Sequence, residues 1–272
     1  MKSFLQKAKF AAIFVAAIGA FGGASAASLV GLPVTIQEGA IAGAMSNSFQ
    51  ANQLSGLYDE IVTFGPGNTF STEAIFNATG WNVSSQVHGF GLNSYELYAK
   101  FIASGTYSTA GGITTFSATS NALQLFADAN QDTRYKTAVA ATAVPSFANL
   151  VLTSAAGSTA DDVLLGSSSS TVAAAGKSGG ALANGDFEIV FGNFNLANPD
   201  GLAYFTAPRP FYMGLDLNGN FQSITPVSGT SVAITASSAN EFFGNVIPEP
   251  GSLALVGISM LGLGFVGMRR KL

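Results

Sequence analysis

The 272-residue chain has no cysteine, one histidine and one tryptophan, and only 10% of it is charged. Without a thiol there can be no disulfide framework, no thiolate nucleophile and no thiolate metal site. A lone histidine, His88, excludes a histidine-rich zinc site. Basic residues are scarcer than their total suggests. Six of the eleven sit at the ends: Lys2, Lys7, Lys9, Arg269, Arg270 and Lys271. Residues 27–250 keep five bases and all fifteen acids, so their net charge is 5 − 15 = −10. That sign argues against nucleic-acid binding, which needs a basic surface. It keeps a protein soluble and allows divalent cations to bridge it to acidic polymers.

The N-terminus has the order of a secretory signal. Lys2, Lys7 and Lys9 precede an apolar core, Phe10 to Phe21, and Ala24-Ser25-Ala26 supplies the small-x-small pattern of a signal-peptidase site. Residues 1–26 are therefore predicted to be a signal peptide cleaved after Ala26. Ala24 and Ala26 would be its recognition pair.

The C-terminus carries a second apolar run, with no charge from Ser252 to Met268. At 1.5 Å per residue a helix over 252–268 spans about 25 Å, slightly under a hydrocarbon core of ~30 Å. Four glycines interrupt it, which lipid tolerates because backbone groups there have no other partner. Arg269, Arg270 and Lys271 form the membrane stop signal that the positive-inside bias holds in the cytoplasm. The body is thus expected outside the cytoplasmic membrane.

Pro248-Glu249-Pro250, the apolar span and the terminal basic cluster together resemble the PEP-CTERM sorting signal of Gram-negative bacteria, over residues 246–272. The resemblance implies that an exosortase, a membrane-embedded cysteine transpeptidase, cuts near Pro248, Glu249 and Pro250. The protein would be held transiently in the membrane and then pass to the cell surface or the extracellular matrix. Proline biases the residue before it toward extended geometry, so 247–250 should be a stiff strip that a protease cleft can hold.

The intervening body, 27–245, reads as an all-β, antiparallel β-sandwich. In Tyr95–Tyr107, Tyr95, Leu97, Ala99, Phe101 and Ala103 fall on one face and Glu96, Lys100, Ser104 and Thr106 on the other, as in a half-buried strand. Further strands are expected at 56–64, 69–76, 113–120, 122–127, 186–191 and 232–236. Turns are expected at Gly65-Pro66-Gly67-Asn68 and Asn198-Pro199-Asp200-Gly201, and a hairpin at Asn218-Gly219. The Ser/Ala/Gly-rich stretch 154–185 cannot build much core and reads as a surface excursion with one short strand at 162–165. A boundary between two domains there is the alternative.

The body also resembles the flocculation-associated (PepA-like) PEP-CTERM proteins. The resembling stretches are GLYDEIVTFGPGNTF at 56–70, YELYAKFIASGTY at 95–107, LQLFADANQDT at 123–133 and PRPFYMGLDLNGNF at 208–221. That resemblance implies a surface or matrix protein that makes cells aggregate, in flocs or biofilm, through extracellular polysaccharide. It offers no catalytic residues.

Catalytic and metal motifs are weak. Asp128, Asn130 and Asp132 alternate as in a calcium loop, but Thr133 stands where the glycine belongs and Val139 where the bidentate glutamate belongs. Asp216, Asn218 and Asn220 coincide with the expected hairpin. Side chains capping their own turns explain both sets better. Gly176-Lys177-Ser178 lacks the partner glycine of a phosphate loop, since position 171 is Thr171. Ser167–Ser170 lacks the glycines of a nucleophile elbow. His88, in VHGFG, suits a loop residue better than a triad base. Asp59 and Glu60 would point to opposite faces of a strand and cannot flank one glycosidic bond. Trp81 could stack on a sugar ring, though a core position suits it better. These readings predict a non-enzymatic protein without cofactor or metal. A carbohydrate-binding module with a defined glycan is the alternative, followed by a secreted hydrolase.

Overall fold

The computed structural model describes residues 33–244 apart from 84–85, 91–93, 112, 134, 137–145, 153–158, 180–181, 193, 210–211, 218–220 and 229. The predicted signal peptide with Ala24 and Ala26, the tail with Pro248, Glu249 and Pro250, the predicted span 252–268, and Arg269, Arg270 and Lys271 lie outside these residues. Among the described residues no helix is long and apolar enough to cross a membrane.

Strands β1 (Val34–Gln37) and β2 (Ser48–Ala51) lead into four long strands: β3 (Gln53–Gly65), β4 (Thr69–Val83), β6 (Glu96–Ala110) and β7 (Ile113–Asp128), with the short β5 (Gln86–His88) before β6. Next come β8 (Tyr135–Lys136), β9 (Val151–Leu152), β10 (Asp162–Ser168), β11 (Ser170–Gly179), β12 (Leu182–Gly192) and β13 (Asn195–Leu196). A single turn of helix, α1 (Asp200–Tyr204), precedes β14 (Phe205–Ala207), β15 (Tyr212–Leu217), β16 (Phe221–Ser228) and β17 (Ser231–Gly244). All pairings are antiparallel, as the sequence predicts.

The pairings close on themselves. Strands run β3-β4-β6-β7-β11-β12-β15-β17 and return to β3, because β11 pairs with β12 on one side and with β7 on the other, Gly176 opposite Phe116. The two layers expected of a sandwich are thus joined at both edges, and among the described residues each strand of the ring has a partner on both sides. Phe101 on β6 meets Phe191 on β12 edge to face across the interior, with ring centroids 6.0 Å apart.

Period-two alternation dictates what fills that interior. Leu54 and Tyr58 on β3, Ala74 and Phe76 on β4, Leu97, Ala99, Phe101 and Ala103 on β6, and Leu123, Leu125 and Ala127 on β7 all face inward and are buried. A second cluster, Val62, Phe70 and Ile234 with Phe64, Tyr107 and Phe116 against it, fills the other end of the same face. The three-stranded sheet β14-β1-β2 and α1 pack against the larger cluster through Val34, Ile36, Tyr204 and Phe205. Gly201 is required there, since a Cβ would run into the Leu165 carbonyl.

Two expectations need correction. The stretch 154–185 is not a surface excursion: it supplies β10, β11 and the start of β12, three parts of the main sheet. Small side chains add little core, but a ladder is made by the backbone and needs no particular side chain. The runs at 113–120 and 122–127 are one strand, β7, with Thr119 bulged out between Ser104/Ser120 and Gly105/Ala118. The hairpin expected at Asn218-Gly219 falls on residues outside the description. β15 before them and β16 after them both pair antiparallel with β17, Tyr212 opposite Gly244 and Ser228 opposite Ser231. The Gly65–Asn68 turn forms as expected, with Gly67 and Asn68 at positive φ of 69° and 58°.

Candidate functional site

Trp81 is not on the surface. Its exposure is 0%, it packs edge to face on Phe205, and its Nε1–H donates to the Tyr204 hydroxyl at 3.1 Å. Buried in this way the ring has no face open for the sugar stacking weighed against a core position from the sequence. Alternation on β4 turns Trp81 inward opposite Leu54, and the sheet β14-β1-β2 with α1 covers it.

Instead Trp81 begins a buried chain of hydrogen bonds. Tyr95 Oη donates to Glu38 Oε1 at 2.9 Å and has one proton, so at the 2.8 Å contact between the two phenols Tyr204 must be the donor. The order is Trp81 to Tyr204 to Tyr95 to Glu38, with every donor pointing the same way. Asn47 Nδ2 donates to Glu38 Oε2 at 2.8 Å, and His88 Nε2 lies 3.5 Å from that oxygen. Burial, reinforced by Glu38, pushes both tyrosine phenols up, so they stay protonated. His88 is not the loop residue expected: it ends β5 opposite Trp81, and its ring lies on Phe49 at 4.2 Å. The cluster ties the covering elements to the ring of strands. The Glu38 carboxyl group and both phenols are buried.

The remaining motifs have structural explanations. Asp128 caps its own turn, its Oδ1 accepting from the Gln131 amide at 2.8 Å and its Oδ2 from the Thr133 amide at 2.8 Å. Among the described residues no group of three or more acidic or histidine side chains could hold a metal ion. Glu60 points into the ring, where it accepts from the Thr72 hydroxyl, and Asp59 points the other way. Burial raises the Glu60 carboxyl above its ordinary range, against the lowering effect of its hydrogen bonds. Gly176-Lys177-Ser178 lies within β11 as ladder, not as a loop.

A groove on the outer face is a further candidate. Cross-strand partners share a face, and one row reads Ser231, Thr63, Ser71, Ser104, Ser120 across β17, β3, β4, β6 and β7. The next row toward the hairpin ends holds Thr69, Thr106 and Ser117. Over these rows lies a cavity of about 540 Å3, lined by Thr63, Phe64, Gly65, Pro66, Thr69, Phe70, Ser71, Ser104, Gly105, Thr106, Thr119 and Thr230. No charged side chain is among them. Thr63 Oγ1 and Ser231 Oγ lie 2.9 Å apart, Thr69 Oγ1 donates to the Pro66 carbonyl at 2.9 Å, and Thr119 Oγ1 reaches the Ser104 carbonyl at 3.4 Å. The Thr119 bulge needs Gly105 opposite it, where a Cβ would strike the Ser117 carbonyl. Sequence reasoning missed this site. Its signal is the recurrence of Ser and Thr at alternate positions in 69–71, 104–108 and 115–120, which identifies a face only once the strands are paired.

Residues 246–271 match the family model described as the PEP-CTERM protein-sorting motif. The chain carries the signal that marks substrates of exosortase, and with it export toward the surface or the extracellular space. No curated protein and no solved structure matches the chain.

Proposed function

We propose that this protein is a non-enzymatic component of the cell surface or matrix, which promotes cell aggregation in association with extracellular polysaccharide. Residues 252–268 hold it transiently in the membrane, and exosortase cuts near Pro248, Glu249 and Pro250. The sorting motif at 246–271 is the observation that carries the reading. The body supports it in two ways. Residues 27–250 have a net charge of −10, which suits a soluble exported part. The ring of long strands closes its own edges, a sturdy form for a domain that works outside the cell without disulfides.

Two measurements test it. Deletion of 246–272 should abolish floc formation in cells whose polysaccharide synthesis is intact, and unchanged flocs would refute the adhesive role. Mass spectrometry of the extracellular protein should show an N-terminus at Ala27 and loss of Arg269-Arg270-Lys271-Leu272. Glu249→Ala should accumulate the uncut form. Extracellular material that still ends in Leu272 would refute the processing step.

A further inference from the structure

We propose that the groove between the β3–β4 turn and the Thr119 bulge binds a segment of an uncharged polysaccharide. This rests on the matrix reading above and adds to it the surface that meets the polymer and the charge class of that polymer. The first argument is electrostatic. The exported part is strongly acidic, yet among the described residues no charged side chain lines the cavity. An ionic ligand would lose hydration there without a counter-ion, whereas a neutral polyol exchanges water for hydroxyls. The second is hydrogen-bonding capacity. Each hydroxyl is one donor and two acceptors, so Thr69, which lines the groove and donates to the Pro66 carbonyl, can still accept. Thr106 and Thr230 are exposed beside them.

The third argument is shape. A sugar ring has a hydroxyl rim and C–H faces, and the exposed Pro66 at the groove gives those faces an apolar surface. The cavity of about 540 Å3 lies in the range of ~300–1,000 Å3 typical of small-ligand sites. The fourth is periodicity. Ser71 and Ser231 are buried, and the accessible hydroxyls of that row are Thr63, Ser104 and Ser120; with strands about 4.8 Å apart they run from β3 to β7 over about 14 Å. That is a track for a repeating chain running across the strands rather than a pocket for one monosaccharide. Threonine side chains on a sheet have few rotamers, so ordering them on binding costs little.

The test uses the mature exported protein in affinity electrophoresis and isothermal titration. The probes are a soluble neutral β-glucan and a neutral galactomannan, with alginate and polygalacturonate as acidic counterparts. The expected result is binding to at least one neutral polymer, insensitive to added salt, and none to the acidic pair. Thr106→Glu puts a carboxylate into the groove from an exposed position and should weaken binding at least about tenfold with an unchanged thermal midpoint, while Thr106→Ser binds as the parent does. Thr119→Glu serves as a second probe should Thr106→Glu fold poorly. Failure to bind either neutral polymer, binding to the acidic polymers alone, or full binding by folded glutamate variants overturns the proposal. Flocs lost on deleting 246–272 together with no glycan binding would remove this inference and leave the matrix reading. Glycan binding with unchanged flocs would do the reverse.

Discussion

Tyr95 and Tyr204 meet hydroxyl to hydroxyl at 2.8 Å, although 109 residues separate them in the chain. The contact joins the residue just before β6 to α1 and so fastens the covering elements to the ring of strands. Tyr204 is both acceptor for Trp81 Nε1–H and donor to Tyr95. Tyr204→Phe therefore strands a buried indole N–H and removes a donor from Tyr95. The expected loss is about 1–3 kcal/mol of stability. Trp81 is the only tryptophan, so urea unfolding followed by its fluorescence reports the change directly. A variant as stable as the parent would show that the chain of hydrogen bonds contributes nothing.

Asp128 separates a capping role from a calcium role. Its carboxylate accepts from the amides of Asn130, Gln131 and Thr133, and Gln131 sits at a positive φ of 61°. Asp128→Ala leaves those amides without their acceptor and should cost on the order of 1–3 kcal/mol. Added calcium should leave the thermal midpoint of the parent unchanged. A calcium-dependent rise would mean that the turn holds an ion, since any ligand specific for the native state raises its stability.

Gly201 sets how closely α1 approaches β10. A methyl group at this position would meet the Leu165 carbonyl, a backbone atom that cannot swing aside. Gly201→Ala should destabilise by about 1–3 kcal/mol, as overpacking does, and should expose Trp81 by loosening the Tyr204 contact. Iodide quenching of Trp81 fluorescence, weak in the parent, is the readout. Quenching that stays weak at an unchanged midpoint would show that the cover accommodates the methyl group.

Strands with one wet face were legible in the sequence. Tyr95 to Ala103 alternates because its odd positions enter the core and Ser104 and Thr106 do not. Strand β4 was less legible, since both of its faces are covered: Ala74 and Phe76 enter the core, while Glu73 on the other face accepts from the Ser146 amide at 3.2 Å. Ring closure could not be read at all. It depends on residues 176–179 pairing with 113–116, a backbone match that leaves no hydrophobic pattern. The groove was hidden for a related reason. Ser231, Thr63, Ser71 and Ser104 come from four strands, and no local spacing links them. Trp81 was ambiguous because a surface ring and a core ring look alike until the covering sheet is in place.

Glu60 gives a pH signature. Its carboxyl is buried inside the ring with Thr72 as donor, and burial raises its folded-state affinity for a proton. The native state then binds more protons than the unfolded chain between the ordinary glutamate range and the higher native value. Stability falls with rising pH wherever the native state holds the extra proton. This contribution is therefore fully present below the unfolded value, is lost as pH rises through the folded one, and is flat above it. Glu60→Gln keeps an oxygen for Thr72 and never ionises. It should be more stable than the parent at neutral pH and lose that slope, so that the two denaturation midpoints converge in mild acid. Midpoints in urea measured across the acidic to neutral range decide it. A parent that gains stability through Glu60 as pH rises, or a Gln variant weaker than the parent at neutral pH, would mean that the charged carboxylate is the form the ring prefers.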